Sequence, residues 1–168
     1  MQRARVHIHS TSPQLPQYQP SKPPLLLPPE MRRSDEAQAF IWGVYMAVQE
    51  IPHGRVTTYG HIAKLIGKPQ CPRQVGQALK HLPPASTAAD NTYHTGNVPW
   101  QRVIASDGTV PRRDDPGGAA RHAQVLRDEG IEVGTKADGR FMVDLEVVGW
   151  FPEVLPSEED EEEEGETA

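Results

Sequence analysis

The sequence predicts an α+β fold, mainly helical, in which a winged helix-turn-helix-like domain carries a small β-hairpin. Three patterns support that prediction. Apolar residues recur at helical spacing in four separate stretches, two of those stretches are short and joined by a tight glycine-containing connector, and the last apolar runs flank an Asp138-Gly139 turn. Taken in order, Ser34 supplies an N-cap and Asp35 and Glu36 complement the dipole of the first turn. Ala37, Phe40, Ile41, Val44 and Val48 then form one apolar face, which Pro52 and Gly54 terminate. Residues 55–57 are β-prone. Thr58 caps a second helix over 59–66, with Tyr59, Ile62, Ala63 and Ile66 on one side and Gly67 as its stop. Pro72 occupies the first turn of a third helix that runs to about Leu82 and turns Val75, Ala78, Leu79 and Leu82 inward. A surface loop follows over 84–97, then the apolar pair Val103-Ile104 and a turn at Ser106-Asp107-Gly108. A fourth helix lies within 119–129, stopped by Gly130, and residues 131–133 and 141–143 make the hairpin.

Composition divides the chain into a proline-rich flexible segment over 1–33, a folded domain over 34–152 and an acidic disordered tail over 153–168. Seven prolines fall between residues 10 and 29 with no amphipathic period, and eight acids crowd residues 157–168. Those eight acids account for the net charge of −6; without them 17 bases face 15 acids. Between His53 and Arg113 eight bases face two acids, a surplus suited to a phosphate-binding face. The single cysteine, Cys71, excludes an intrachain disulfide and a cysteine-based metal site. No apolar run approaches the roughly 20 residues that span a membrane, and no secretory pattern opens the chain, so a soluble intracellular protein is expected.

Four segments, in order and with consistent spacing, then carry a family resemblance. They are Ile51-Pro52-His53-Gly54-Arg55-Val56-Thr57-Thr58-Tyr59-Gly60, Arg73-Gln74-Val75-Gly76-Gln77-Ala78-Leu79, Val98-Pro99-Trp100-Gln101-Arg102-Val103-Ile104 and Asp128-Glu129-Gly130. Across residues 36–150 the chain resembles the C-terminal, DNA-binding domain of O6-alkylguanine-DNA alkyltransferases, and more closely the alkyltransferase-like proteins. In the enzymes a Pro-Cys-His-Arg motif supplies the thiolate that attacks the alkyl carbon. Here that motif reads Pro99-Trp100-Gln101-Arg102. An indole is no nucleophile toward an alkyl ether, and an amide cannot take a proton, so both the acceptor and the general base are gone. Alkyltransferase-like proteins usually keep the histidine, so Gln101 departs from their pattern too. The loop before Pro99 is longer than usual in the family, and Leu82 stands near the place of the enzymes' asparagine hinge.

The resemblance implies a binding site without catalytic residues: Tyr59, Arg73, Gly76, Trp100 and Arg113. Arg73 matches the finger that fills the gap left by an extruded base, and Tyr59 matches the tyrosine that crowds the target's 3′ phosphate. Gly76 lies where the recognition helix approaches the minor groove. Trp100 forms a pocket wall, and Arg113, or in a shifted register Arg112, lies against the flipped purine. Arg102 anchors the loop and Glu129 braces the fold. The function implied is non-enzymatic recognition of O6-alkylguanine in duplex DNA by base flipping, flagging the lesion for nucleotide excision repair. No metal or organic cofactor is expected. The expected partners are the damaged duplex and nucleotide excision repair proteins. A monomer is expected, nuclear in a eukaryote and cytoplasmic or nucleoid-associated in a bacterium. Two rivals stand beside this reading: a residual alkyltransferase using Cys71, and a winged-helix DNA-binding protein indifferent to damage, which the basic stretch would explain equally well.

Overall fold

A computed structural model describes residues 29–87 and 93–165, with side chains over 34–86 and 93–160. The proline-rich stretch over 1–28 and the middle of the 84–97 loop lie outside the described residues. In order, the elements are α1 (Pro29–Gln49), β1 (Thr57–Thr58), α2 (Tyr59–Leu65), α3 (Pro72–Lys80), β2 (Val103–Ile104), α4 (Gly118–Asp128), β3 (Gly134–Thr135), β4 (Phe141–Met142), α5 (Leu145–Val148) and α6 (Pro156–Gly165).

The apolar face of α1 buries Val44, Tyr45, Ala47 and Val48 against Ile62 and Ala63 of α2 and Val75 and Ala78 of α3. Tyr45 also donates its hydroxyl to the Ala78 carbonyl at 2.8 Å, which ties α1 to α3. Thr58 caps α2 as its position requires, accepting from the His61 amide at 3.2 Å. Gly67, at φ +71°, turns the chain out of α2 in the left-handed region that favours glycine. Pro72 opens α3, where its missing N–H costs nothing.

The β1 and β2 strands pair in parallel, Thr57 opposite Val103 and Thr58 opposite Ile104. This short ladder separates two cores. Val103 faces the helical cluster, and Val56 and Ile104 join a second cluster with Val110, Ala123, Leu126, Ile131, Val133 and Val143. The wing is antiparallel, with Gly134 opposite Met142 and Thr135 opposite Phe141.

Four features depart from the sequence reading. α1 starts at Pro29 and runs through Ser34, which is therefore interior and not an N-cap; a proline is pre-set for a helix's first position. The first wing strand is shifted from 131–133 to Gly134–Thr135, because Ile131 and Val133 are buried in the second core and the Val133 carbonyl accepts from Arg127 at 3.1 Å. The packed body also reaches beyond residue 152: Leu155 is buried in the helical core. Finally, the acidic stretch forms α6, and the Ser157 amide and hydroxyl donate to the Glu50 carboxylate at 3.1 and 2.6 Å. Among the described residues no helix is long and apolar enough to cross a membrane.

Candidate nucleic-acid interface

The site is built on the turn that follows Pro99. Val98 and Val103 are buried on either side of it, and residues Trp100–Arg102 form one turn of 3-10 helix between them. Two of the three side chains are committed to bracing. Arg102 donates through Nε to Glu129 at 2.8 Å and through Nη1 to the Ile51 carbonyl at 2.7 Å. Gln101 donates to the other Glu129 oxygen at 2.6 Å, and the Gly54 amide reaches the same carboxylate at 3.3 Å. Burial pushes the Glu129 carboxyl up, but the hydrogen bonds from Arg102, Gln101 and Gly54 and the Arg102 charge outweigh it, so the net shift is downward. Glu129 therefore remains an anion that fastens the end of α4 to the loop before β1 and to the 3-10 turn. Gln101 holds that carboxylate as a donor.

Trp100 is half-buried and packs against the helical core. The Arg113 guanidinium carbon lies 4.6 Å from its ring centroid, a cation–π distance. Of the two adjacent arginines, Arg113 covers the indole and Arg112 is exposed. The loop bearing Arg113 is tied down by two ion pairs immediately after it. Lys80 at the end of α3 pairs with Asp114 at 2.6 Å, and Arg121 pairs with Asp115. Gly118 makes this close packing feasible, since a Cβ there would collide with the Arg113 side chain and the Asp115 carboxylate.

The indole also meets His122, whose ring lies 5.1 Å away at 65°. His122 is fully buried, and its Nε2 lies 2.7 Å from the Gln101 carbonyl. Its Nδ1 is buried with no hydrogen-bond partner. Burial lowers the imidazole to about 4, the Gln101 carbonyl bond opposes that shift, and the Arg113 charge adds to it.

Four of the five residues expected at the site thus form one connected surface. Tyr59, at the start of α2, lies against α3 at Gly76, where an added Cβ would sit 3.7 Å from its ring. Burial raises the Tyr59 hydroxyl, and the Arg113 charge counters it, so Arg113 acts electrostatically on Tyr59 as well as covering Trp100. Arg73 does not join this cluster. It is exposed on the first turn of α3, lining a shallow groove with Gln70, Pro72, Gln74 and Gln77. It nevertheless shares the helix face of Gly76, three residues on. Cys71 is the half-buried residue preceding α3, with no side-chain capping bond. His122 and the Lys80–Asp114 tie escaped the sequence reading. The signal for His122 is a polar residue at a core position of α4, beside Ala123 and one turn before Leu126. Among the described residues no group of three metal-ligating side chains gathers.

Residues 39–131 match the family model of the 6-O-methylguanine DNA methyltransferase DNA-binding domain. The chain belongs to this family. Among its relatives it is similar to alkyltransferase-like protein 1 of Schizosaccharomyces pombe, at 42% identity over 120 residues that cover 71% of this chain and 99% of that protein. The DNA base-flipping protein of Escherichia coli is 35% identical over 122 residues, 73% of this chain and 82% of that one. The crystal structure of S. pombe Atl1 in complex with damaged DNA containing O6-carboxymethylguanine superimposes with a TM-score of 0.60 at 42% identity, covering 68% of this chain and 97% of that one. Within the family the chain is thus of the alkyltransferase-like kind, with Trp100 standing where the enzymes carry their acceptor cysteine.

Proposed function

We propose that this protein recognises O6-alkylguanine in duplex DNA by flipping the base, holds it against Trp100 and releases it chemically unchanged. The observation that carries this reading is the arginine-covered indole at the acceptor position, beside a Gln101 amide spent on Glu129. Flipping a base costs a few kcal/mol, and less when the pair is already weakened. Stacking on an aromatic side chain returns roughly 1–3 kcal/mol, so the Trp100 face offsets much of that cost. The Arg113 cation favours purine rings of more negative face potential, which distinguishes alkylated from normal guanine. Arg73 fills the vacated stack and Tyr59 presses the backbone of the target nucleotide. The names of the relatives and the damaged-DNA complex of the S. pombe protein support the reading. With Trp100 at the acceptor position the alkyl group stays on the base, so the protein acts as a flag: nucleotide excision repair proteins are its downstream partners, and a nucleus is its compartment if the source is a eukaryote.

The test is competitive binding to duplexes that differ only in guanine or O6-methylguanine, at one salt concentration. A preference of at least about tenfold, or ~1.4 kcal/mol, is expected, with the lesion recovered intact. Trp100→Ala should remove most of that preference and Cys71→Ser none of it. Equal affinity for both duplexes would leave a general winged-helix DNA-binding protein. A restored guanine and an alkylated Cys71 would make the protein an enzyme.

A further inference from the structure

Two ion pairs follow Arg113 along the chain, and they differ in what they join. Asp115 pairs with Arg121, which closes the short turn into α4. Asp114 instead reaches Lys80 at the end of α3, 2.6 Å away. Lys80 stands four residues beyond Gly76, on the same side of that helix. Asp114 thus answers two cations. The Lys80 hydrogen bond and charge, with the Arg113 charge added, hold its carboxyl below the ordinary value against a desolvation that raises it. The stem of Arg113 fills the space that a Cβ on Gly118 would need, and its guanidinium carbon lies 4.6 Å from the Trp100 ring centroid. The tie to α3 is therefore one residue from the cation that covers the indole. It does little to hold the fold together: its side chains are 56% and 85% exposed, and exposed pairs contribute little to stability.

We propose that Lys80 and Asp114 are positioning residues for lesion discrimination: their pair holds Arg113 over Trp100 and keeps Lys80 from phosphate. The inference rests on the lesion-binding reading, in which Arg113 reads the base held against Trp100. A lysine on the face of α3 that approaches DNA would otherwise pair with phosphate, and phosphate contacts carry no information about the base. Paired with Asp114, the Lys80 charge instead sets the arginine that does. Neither residue touches the base; both act through Arg113.

The test measures affinity for duplexes containing guanine or O6-methylguanine over a series of salt concentrations. It compares the native protein with Asp114→Asn, Lys80→Gln and the charge exchange Lys80→Glu with Asp114→Lys. Asp114→Asn releases Lys80, so the guanine duplex should bind more tightly, with a salt slope steeper by about one. Its preference for the lesion should nevertheless fall roughly two- to fivefold, the worth of a cation–π contact at an exposed site. Lys80→Gln should lose the same preference with the salt slope unchanged, and the charge exchange should restore it. Thermal midpoints should stay at the native value throughout. A folding defect weakens binding to both duplexes and cannot tighten one, so it cannot mimic the Asp114→Asn result. If Lys80→Gln weakens both duplexes equally and flattens the slope by about one, while Asp114→Asn keeps the native preference, Lys80 is a phosphate contact. The inference then falls and the lesion-binding reading stands. A charge exchange that leaves the preference lost also overturns the inference. A native protein that binds both duplexes equally overturns the lesion-binding reading and the inference together.

Discussion

Removing the Glu129 carboxylate should cost this domain more than any other single change in the site, even though Glu129 touches neither Trp100 nor Arg113. The carboxylate accepts from Gln101 at 2.6 Å, Arg102 at 2.8 Å and the Gly54 amide at 3.3 Å. Both members of its ion pair are largely shielded, with side-chain exposures of 14% for Arg102 and 9% for Glu129. Glu129→Ala strands a shielded guanidinium whose remaining acceptor is the Ile51 carbonyl at 2.7 Å. Breaking a buried pair from one side costs about 3–5 kcal/mol, and the residual solvent access of Arg102 places this case near the lower end, at about 3 kcal/mol. Glu129→Gln keeps an acceptor oxygen and loses only the charge, so it should cost about half as much. Urea denaturation at pH 7 measures both, and the thermal midpoint of Glu129→Ala should fall by roughly 10 °C for a domain of this size. The sign with pH follows from the depressed carboxyl: its contribution is complete above the ordinary value of 4.5 and is lost as pH falls through the lower folded value. The gap between native protein and Glu129→Gln should therefore narrow in acid. A loss below about 1 kcal/mol in Glu129→Ala at pH 7 would refute the brace and reduce the pair to a surface contact.

Three further outcomes are expected. His122 is neutral in the fold with a value near 4 against an ordinary 6.5, so the unfolded chain takes up its proton first as pH falls. Stability should drop by about 2–3 kcal/mol between pH 6.5 and 4 on this account; denaturation midpoints of His122→Asn should fall less steeply, and parallel curves would assign the loss elsewhere. Gly76→Ala meets only ordinary contacts with the Tyr59 ring, at 3.7 and 3.8 Å, and gains helix propensity of about 0.5–1 kcal/mol. The variant should melt higher yet bind duplex DNA more weakly, and undiminished binding would show that the α3 backbone does not approach the groove at this point. Deleting residues 157–168 removes eight acids together with the Ser157 contact on Glu50. Affinity for undamaged DNA at low salt should rise, and an unchanged affinity would mean the acidic segment does not compete with phosphate.

What could be read in the sequence was what local chemistry dictates. Thr58, Gly67 and Pro72 punctuate α2 and α3 through their own hydroxyl, φ and ring, so the bounds of those helices show in the sequence to within a residue or two. The pairing of β1 with β2 depends on two residues from each strand, 46 positions apart between Thr57 and Val103, and no periodicity can develop over two residues. The wing shifted because Ile131 and Val133 look like strand residues but serve the second core. At the candidate site, the gathering of Trp100, Tyr59, Gly76 and Arg113 was legible through the motifs that carry the resemblance. The choice between Arg112 and Arg113 was not, because it depends on how a loop held by Lys80 and Asp114 turns. His122 was hidden for the opposite reason: a single histidine within an apolar helix face gives no sign of which nitrogen is satisfied.

These observations also suit the proposed reading, in which a side chain that binds stands where the enzymes carry one that reacts. Tryptophan in place of cysteine at position 100 adds a large ring, and that ring contacts both Arg113 and His122. Replacing histidine by Gln101 would free Glu129 if the carboxylate depended on an imidazole partner. Instead the Gln101 amide donates to one oxygen and Arg102 to the other, so the carboxylate keeps two side-chain partners and its charge. The glutamate that the resemblance assigns to proton relay in the enzymes is therefore retained here for a structural reason. It holds the Gln101 and Arg102 side chains of the 3-10 turn on which Trp100 stands. In the proposed reading, the same pair of hydrogen bonds that occupies Glu129 braces the turn that carries Trp100, so Glu129 supports the candidate site through that turn.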